Sequence, residues 1–217
     1  MQAMDDATLL SEYAINGSEA AFEVLVSRYV HFVHSAAMRQ VHDSHRAEEV
    51  TQVVFTILAK KAGRISGRTI LSGWLFKTTR FVALAQTRAA ARRRHYEQEL
   101  HMQSEDQLNT PDQPLWEQIS PLLDEALAKL GEKDRQAVLL RFFQNKSLAE
   151  VGRAFGTGEN AARMRINRTL AKLNRYFIRH GVSSTTVVLA TLISANSVQA
   201  TPVGLAKAVT AVAISKG

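Results

Sequence analysis

Apolar residues recur three and four positions apart along most of the chain, and strand-like alternation is weak. The pattern predicts a first short helix over Asp5–Ile15, stopped at Asn16 and Gly17. Ser18 is placed to cap a second helix reaching about Val41, with Phe22, Leu25, Val26, Tyr29, Val33 and Ala37 on one stripe. Asp43 or Ser44 opens a third, with Val50, Val53, Val54, Ile57 and Leu58 expected inward. The segment KKAGRISGRTILSG breaks the period with glycines and reads as a basic loop. A fourth helix is expected from Gly73 to about Arg94, turning Trp74, Leu75, Thr78, Val82 and Ala85 to the core. Periodicity then lapses and returns in four shorter helices over Pro121–Leu130, Glu132–Phe143, Ser147–Phe155 and Asn160–His180. The fold class is all-α.

Charge divides this run. The chain carries a formal +7 and is 46% hydrophobic, a composition that supports a packed core and suggests an anionic partner. Residues 98–121 hold no Lys or Arg but include Glu99, Glu105, Asp106, Asp112 and Glu117. This polar, proline-containing stretch reads as a flexible acidic linker between two small helical domains, residues 1–97 and 122–181. Residues 182–217 form a nearly uncharged extension. Cysteine is absent, which excludes disulfides and thiolate metal sites. The acidic start, MQAMDDATLL, is unlike a signal peptide, and no apolar run approaches the roughly 18 residues of a membrane span. These features fit a cytoplasmic protein.

The segment KSLAEVGRAFGTGENAARMRINRTLAKLNR carries the most specific chemistry. Ser147 with Glu150 three residues on forms a capping box, and Gly156 ends that helix. In the next helix Ala162, Ile166, Leu170, Leu173 and Phe177 make a buried face. Arg165, Arg168, Lys172, Arg175 and Arg179 make a basic stripe expected to face solvent. The spacing is that of a helix-turn-helix whose second helix enters a major groove. Asn160, Arg163 and Met164, with Glu159, would lie nearest base edges, and the later cations nearer phosphates.

The first block offers two further surfaces. In HRAEEVTQVVF, Glu48, Glu49 and Gln52 share the outward side of a helix, a poor DNA surface but a reasonable protein-docking one. In GWLFKTTRFVALAQTRAAARRR, Lys77, Arg80, Arg88, Arg92, Arg93 and Arg94 could meet phosphates, while Phe81 could stack on bases or pack in the core. For Trp74, at the start of an amphipathic helix, core packing is the stronger reading.

Taken in order, these segments resemble an extracytoplasmic-function (ECF) sigma factor, over roughly residues 5–180. AFEVLVSRYVHFVHSAA is similar to region 2.1. HRAEEVTQVVFTILAKK resembles region 2.2 through Ala47, Glu48, Glu49, Gln52, Val54 and Phe55. GWLFKTTRFVALAQTRAAARRR resembles regions 2.3 and 2.4. Residues 123–173 resemble region 4 through Leu130, Arg135, Leu140, Arg141, Ser147, Glu150, Val151, Gly156, Arg165 and Leu173. The resemblance implies that Glu48, Glu49, Gln52 and Phe55 serve docking on core RNA polymerase. It implies that Lys77, Arg80, Phe81, Arg88 and Arg92 handle the −10 element. It assigns the −35 element to Asn160, Arg163, Met164, Arg165, Arg168 and Lys172. It implies promoter DNA as a partner, no cofactor, metal or small-molecule substrate, and no catalytic residues; an anti-sigma factor is left open. Departures include Val53 for a usual Glu, Phe81 for a common Asn, Gln86 for a frequent Asp, and Ala161-Ala162 for Thr-Val, so promoter sequence does not carry over.

Two alternatives stand beside this one. A helix-turn-helix regulator acting without polymerase would explain residues 122–180 but not 43–94. An enzyme would need a site, and the spacings His31/His34 and His42/His45 supply no acidic ligand in register. In the extension, Ser183 or Ser184 is expected to cap a helix through Ile193 and Thr201-Pro202 to start another. The pair is expected to pack on the two domains or on a partner and to modulate activity.

Overall fold

In a computed structural model that describes residues 4–98 and 114–216, the described residues form helices, turns and loops with no strand. The chain runs α1 (Asp6–Asn16), α2 (Glu19–Val41), α3 (Ser44–Lys61), α4 (Leu71–Gln98), α5 (Leu115–Lys129), α6 (Glu132–Val138), α7 (Leu148–Ala154), α8 (Glu159–Arg179), α9 (Thr186–Asn196) and α10 (Leu205–Ser215). Most of the linker read from sequence, residues 99–113, lies outside the described residues, as do the side chains of residues 90–98.

Local chemistry sets the helix ends. Asp5 caps α1 by accepting from the Thr8 amide at 2.7 Å, and Gly17 closes it at φ +63°, a conformation that spares only glycine a penalty. Ser18 and Asp43 cap α2 and α3. The basic loop is shorter than expected. One 3-10 turn, Ala62–Arg64, follows α3 directly, and α4 opens at Leu71 rather than Gly73.

α5 departs further from expectation. It begins at Leu115, so residues 115–121 belong to a helix, and Pro121 lies inside it rather than at its start. Pro121 is exposed, which keeps its ring on the solvent side, while Ile119 and Leu123 extend the buried face in both directions. α6 continues into a π turn, Leu139–Phe143, closed by the Gln144 amide on the Leu139 carbonyl at 3.1 Å. In the extension the cap is Thr185, not Ser183 or Ser184. Pro202 sits in a turn before Gly204 at φ +88°, and α10 starts at Leu205.

α2 is the spine. It packs on α1, α3 and α4 and also meets α5 and α10. Its expected stripe is buried throughout, with Phe22, Leu25, Val26 and Val33 at 0% exposure. Two inward assignments fail: Val53 is 41% exposed and Ala85 faces solvent. α2, α4 and α10 all pack on α3, and the seam they form turns Val50, Val54 and Leu58 inward and leaves Val53 outside it.

The two helical blocks meet across α2. Arg39 Nε and Nη2 donate to the Asp124 carboxylate of α5 at 2.8 and 3.1 Å, both residues being buried. The Phe32 ring meets Phe143 edge-on at 5.7 Å. Tyr29 donates to Asp6; burial, then the Asp6 charge, pushes its phenol well above the usual range, so it remains a donor.

Candidate nucleic-acid and docking interfaces

The helix-turn-helix is built from α7, a tight turn and α8. Ser147 Oγ accepts from the Glu150 amide at 3.2 Å, and Glu150 Oε2 accepts from the Ser147 amide at 2.8 Å, the expected capping box. Hydrogen bonds with the Ser147 backbone and then its side chain, followed by Lys146, hold the Glu150 carboxyl down to about 2. At the turn, the Thr157 amide donates to the Gly152 carbonyl at 2.8 Å. A Cβ on Gly152 would stand 2.7 Å from the Thr157 oxygen, so this crossing requires glycine. Gly156, at φ +64°, makes the left-handed step.

α8 buries Ala162, Ile166, Leu170, Leu173 and Phe177, as its spacing required. Opposite them Asn160, Arg163, Met164 and Arg168 are exposed, with Met164 at 65%. Arg163 is held by Glu159 one turn back at 2.9 Å. The stripe is not uniform, however. Arg165 is half-buried, donates to Asp134 of α6 at 3.0 Å and lies over the Phe155 ring. Lys172 takes the other Asp134 oxygen at 2.6 Å. Burial pushes the Asp134 carboxyl up, but the bonds from Lys172 and Arg165 outweigh it and hold it down. Helical spacing alone places Arg165 in solvent. It faces α6 because Asp134 lies beneath it, a partner 31 positions away that local spacing cannot announce.

On α4, Phe81 is 73% exposed and Arg88 is exposed, so the core alternative for Phe81 does not hold here. Trp74 is half-buried against the core. Lys77 pairs with Glu132 of α6 at 2.7 Å, and Arg80 reaches the Asp124 carbonyl at 3.4 Å. α6 sits so close that a Cβ on Gly73 would meet Gln136 Cγ at 2.9 Å. Arg92 lies on α4, but its side chain is outside the described residues.

On α3, Glu49 is exposed, Glu48 and Gln52 are half-buried, and Val53 adds an exposed apolar side chain beside them. Phe55 is fully buried in the core, which corrects its expected place at a docking surface. A signal for the outward turn of Val53 lies in the resemblance itself: the usual residue there is Glu, which belongs in solvent.

Two family models match the chain, "Sigma-70 region 2" over residues 25–93 and "Sigma-70, region 4" over residues 121–173, together more than half of it. The RNA polymerase sigma factor CarQ of Myxococcus xanthus is 29% identical over 163 residues, which span 73% of this chain and 90% of that protein. The RNA polymerase sigma-H factor of Pseudomonas aeruginosa is 24% identical over 177 residues, spanning 76% and 91%. Among solved structures, the sigma factor RpoE in complex with the anti-sigma factor NepR, from Bartonella quintana, is similar at a TM-score of 0.32 and 18% identity. That similarity covers 68% of this chain and 89% of that one. With region 2 and region 4 in their order on one all-helical chain, the protein belongs to the RNA polymerase sigma factors, of the ECF type, which direct promoter-specific transcription initiation.

Proposed function

We propose that residues 1–97 and 122–181 divide the work of initiation. The first block docks on core RNA polymerase through Glu48, Glu49 and Gln52 and handles the opened −10 strand through Phe81, Arg88 and Arg92, with Lys77 and Arg80. The second reads the −35 duplex, with Asn160, Arg163 and Met164 toward base edges and Arg168 and Lys172 toward phosphates. The observation that carries this is the exposed end of α8 behind a capped α7 and a glycine-bound turn. Arg165, tied to Asp134, sets the angle of α8 and reaches phosphate only by exchanging that carboxylate for one. The protein is a non-catalytic specificity subunit, works where the polymerase is, in the cytoplasm, and calls for no cofactor or metal. Among the described residues no helix is long and apolar enough to cross a membrane.

Charge reversal tests the docking surface. Glu48→Lys with Glu49→Lys should weaken core binding by about 2–5 kcal/mol if the pairs are desolvated in the complex. A folded double variant that binds core with unchanged affinity removes this surface from the assignment.

A further inference from the structure

We infer that the C-terminal segment, residues 185–216, is an autoinhibitory strap that holds region 4 against region 2 and so keeps α5 and α6 over part of the DNA-handling face of α4. The inference rests on the sigma-factor reading only for what the covered face does.

The strap touches both domains. α9 packs on α8 and the π turn, burying Leu189 and Ile193. α10 lies along α2 and α3, burying Leu205, Val209 and Ala213 at four-residue steps. Between them the chain is stitched to one face of α2 at His31, Ser35 and Arg39, successive turns of that helix. His31 Nδ1 accepts from the Thr201 amide at 3.0 Å. Ser35 Oγ accepts from the Gln199 amide at 2.8 Å. Arg39 Nη1 donates to the Ser197 carbonyl at 2.6 Å, while the rest of its guanidinium holds Asp124 of region 4. One arginine therefore binds strap and region 4 to region 2 at once.

A segment that contacts both domains stabilises only the arrangement in which they are adjacent. That arrangement occupies functional groups. Lys77 is paired with Glu132, Arg80 reaches the Asp124 carbonyl, and α6 packs against Gly73. The seam that holds the domains joins the Arg39–Asp124 pair to the buried Phe32–Phe143 contact, and contacts between domains of one chain are ones that relative domain motion makes and breaks. About 240 Å3 of cavity remains where α2, α5 and the strap converge, lined by His34, Met38, Trp116 and Asn196 among others. Docking on polymerase and on a promoter must separate the domains to free α4. By linkage, whatever lifts the strap favours promoter engagement and promoter engagement loosens the strap.

The absence of cysteine makes the test direct. Spin labels on Ser11→Cys and Arg153→Cys, both exposed, report the separation of the domains in the full chain by electron–electron resonance. Val209→Asp, which places a charge in the buried face of α10, should shift the distances to longer values and raise run-off transcription at limiting polymerase. Ser35→Ala, a milder change, should raise the open fraction about fivefold. If Val209→Asp unfolds, Ser35→Ala and Gln199→Pro, each removing the bond at Gln199, decide the matter. Unchanged distances in folded variants would overturn the strap. Longer distances with unchanged transcription would overturn its inhibitory role. Failure of every form, parent included, to initiate would overturn the sigma-factor reading and with it the inhibitory role, while the distances still judge the strap.

Discussion

Phe81 holds its ring in solvent between a buried Val82 and a half-buried Arg80. Because so little of it is packed, Phe81→Ala should change the melting free energy by no more than about 0.5 kcal/mol. If its ring stacks on an unpaired base, the same change should weaken strand opening by about 1–3 kcal/mol, read by permanganate footprinting of the −10 region. A melting loss that matches the opening loss would return Phe81 to a packing role. At Arg163 the expected outcome is different in kind. Arg163→Ala should alter which −35 sequences are used, by about 1–3 kcal/mol for each base it no longer reads, whereas Arg168→Ala should weaken all sequences alike and lower the salt slope by about one. An unchanged sequence preference in Arg163→Ala would mean that α8 enters the groove on another face. Exposed positions such as these are readable from helical spacing. Arg165 is not, because its place depends on Asp134, brought beneath it by the packing of α6 on α8.

Elements are legible where their signals are local. Ser18, Asp43 and Ser147 each cap a helix by bonding an amide three residues on, and the fixed distance makes the motif visible in sequence. α5 escapes this kind of reading because Pro121 looks like a helix start, and only packing of Ile119 reveals that the helix is already running. The turn of the helix-turn-helix has its own test. Gly152→Ala drives a methyl into the Thr157 and Gly158 backbone, so it should cost about 1–3 kcal/mol in thermal stability and weaken −35 binding with it. The capping box gives a pH dependence. Glu150 has a folded value of about 2 against an ordinary 4.5. A depressed carboxylate stabilises the fold above its unfolded value, and that contribution is lost as pH falls from about 4.5 toward 2. Glu150→Gln should therefore be less stable than the parent at neutral pH, with the two melting curves converging in acid. A gap that stays constant across this range would contradict the assigned bonds.

At the scale of the molecule, two regions and an extension close around α2, and Arg39 joins all three. Pairing across 85 positions leaves no trace in a sequence, so the helices of both blocks can be read from their periodicity while the contact between the blocks cannot. Removing one member of a buried ion pair strands the other, so Arg39→Ala should cost about 3–5 kcal/mol, seen as loss of the seam before loss of either helical block in hydrogen exchange. The central claim is that this chain directs a polymerase to promoters. Run-off transcription with core RNA polymerase and genomic fragments tests it most directly. Discrete transcripts should form only when the chain is added, start downstream of a shared pair of −10 and −35 elements, and be lost with Glu48→Lys and Glu49→Lys. Tight, specific binding to duplex DNA without polymerase, and no transcript when core is supplied, would contradict it.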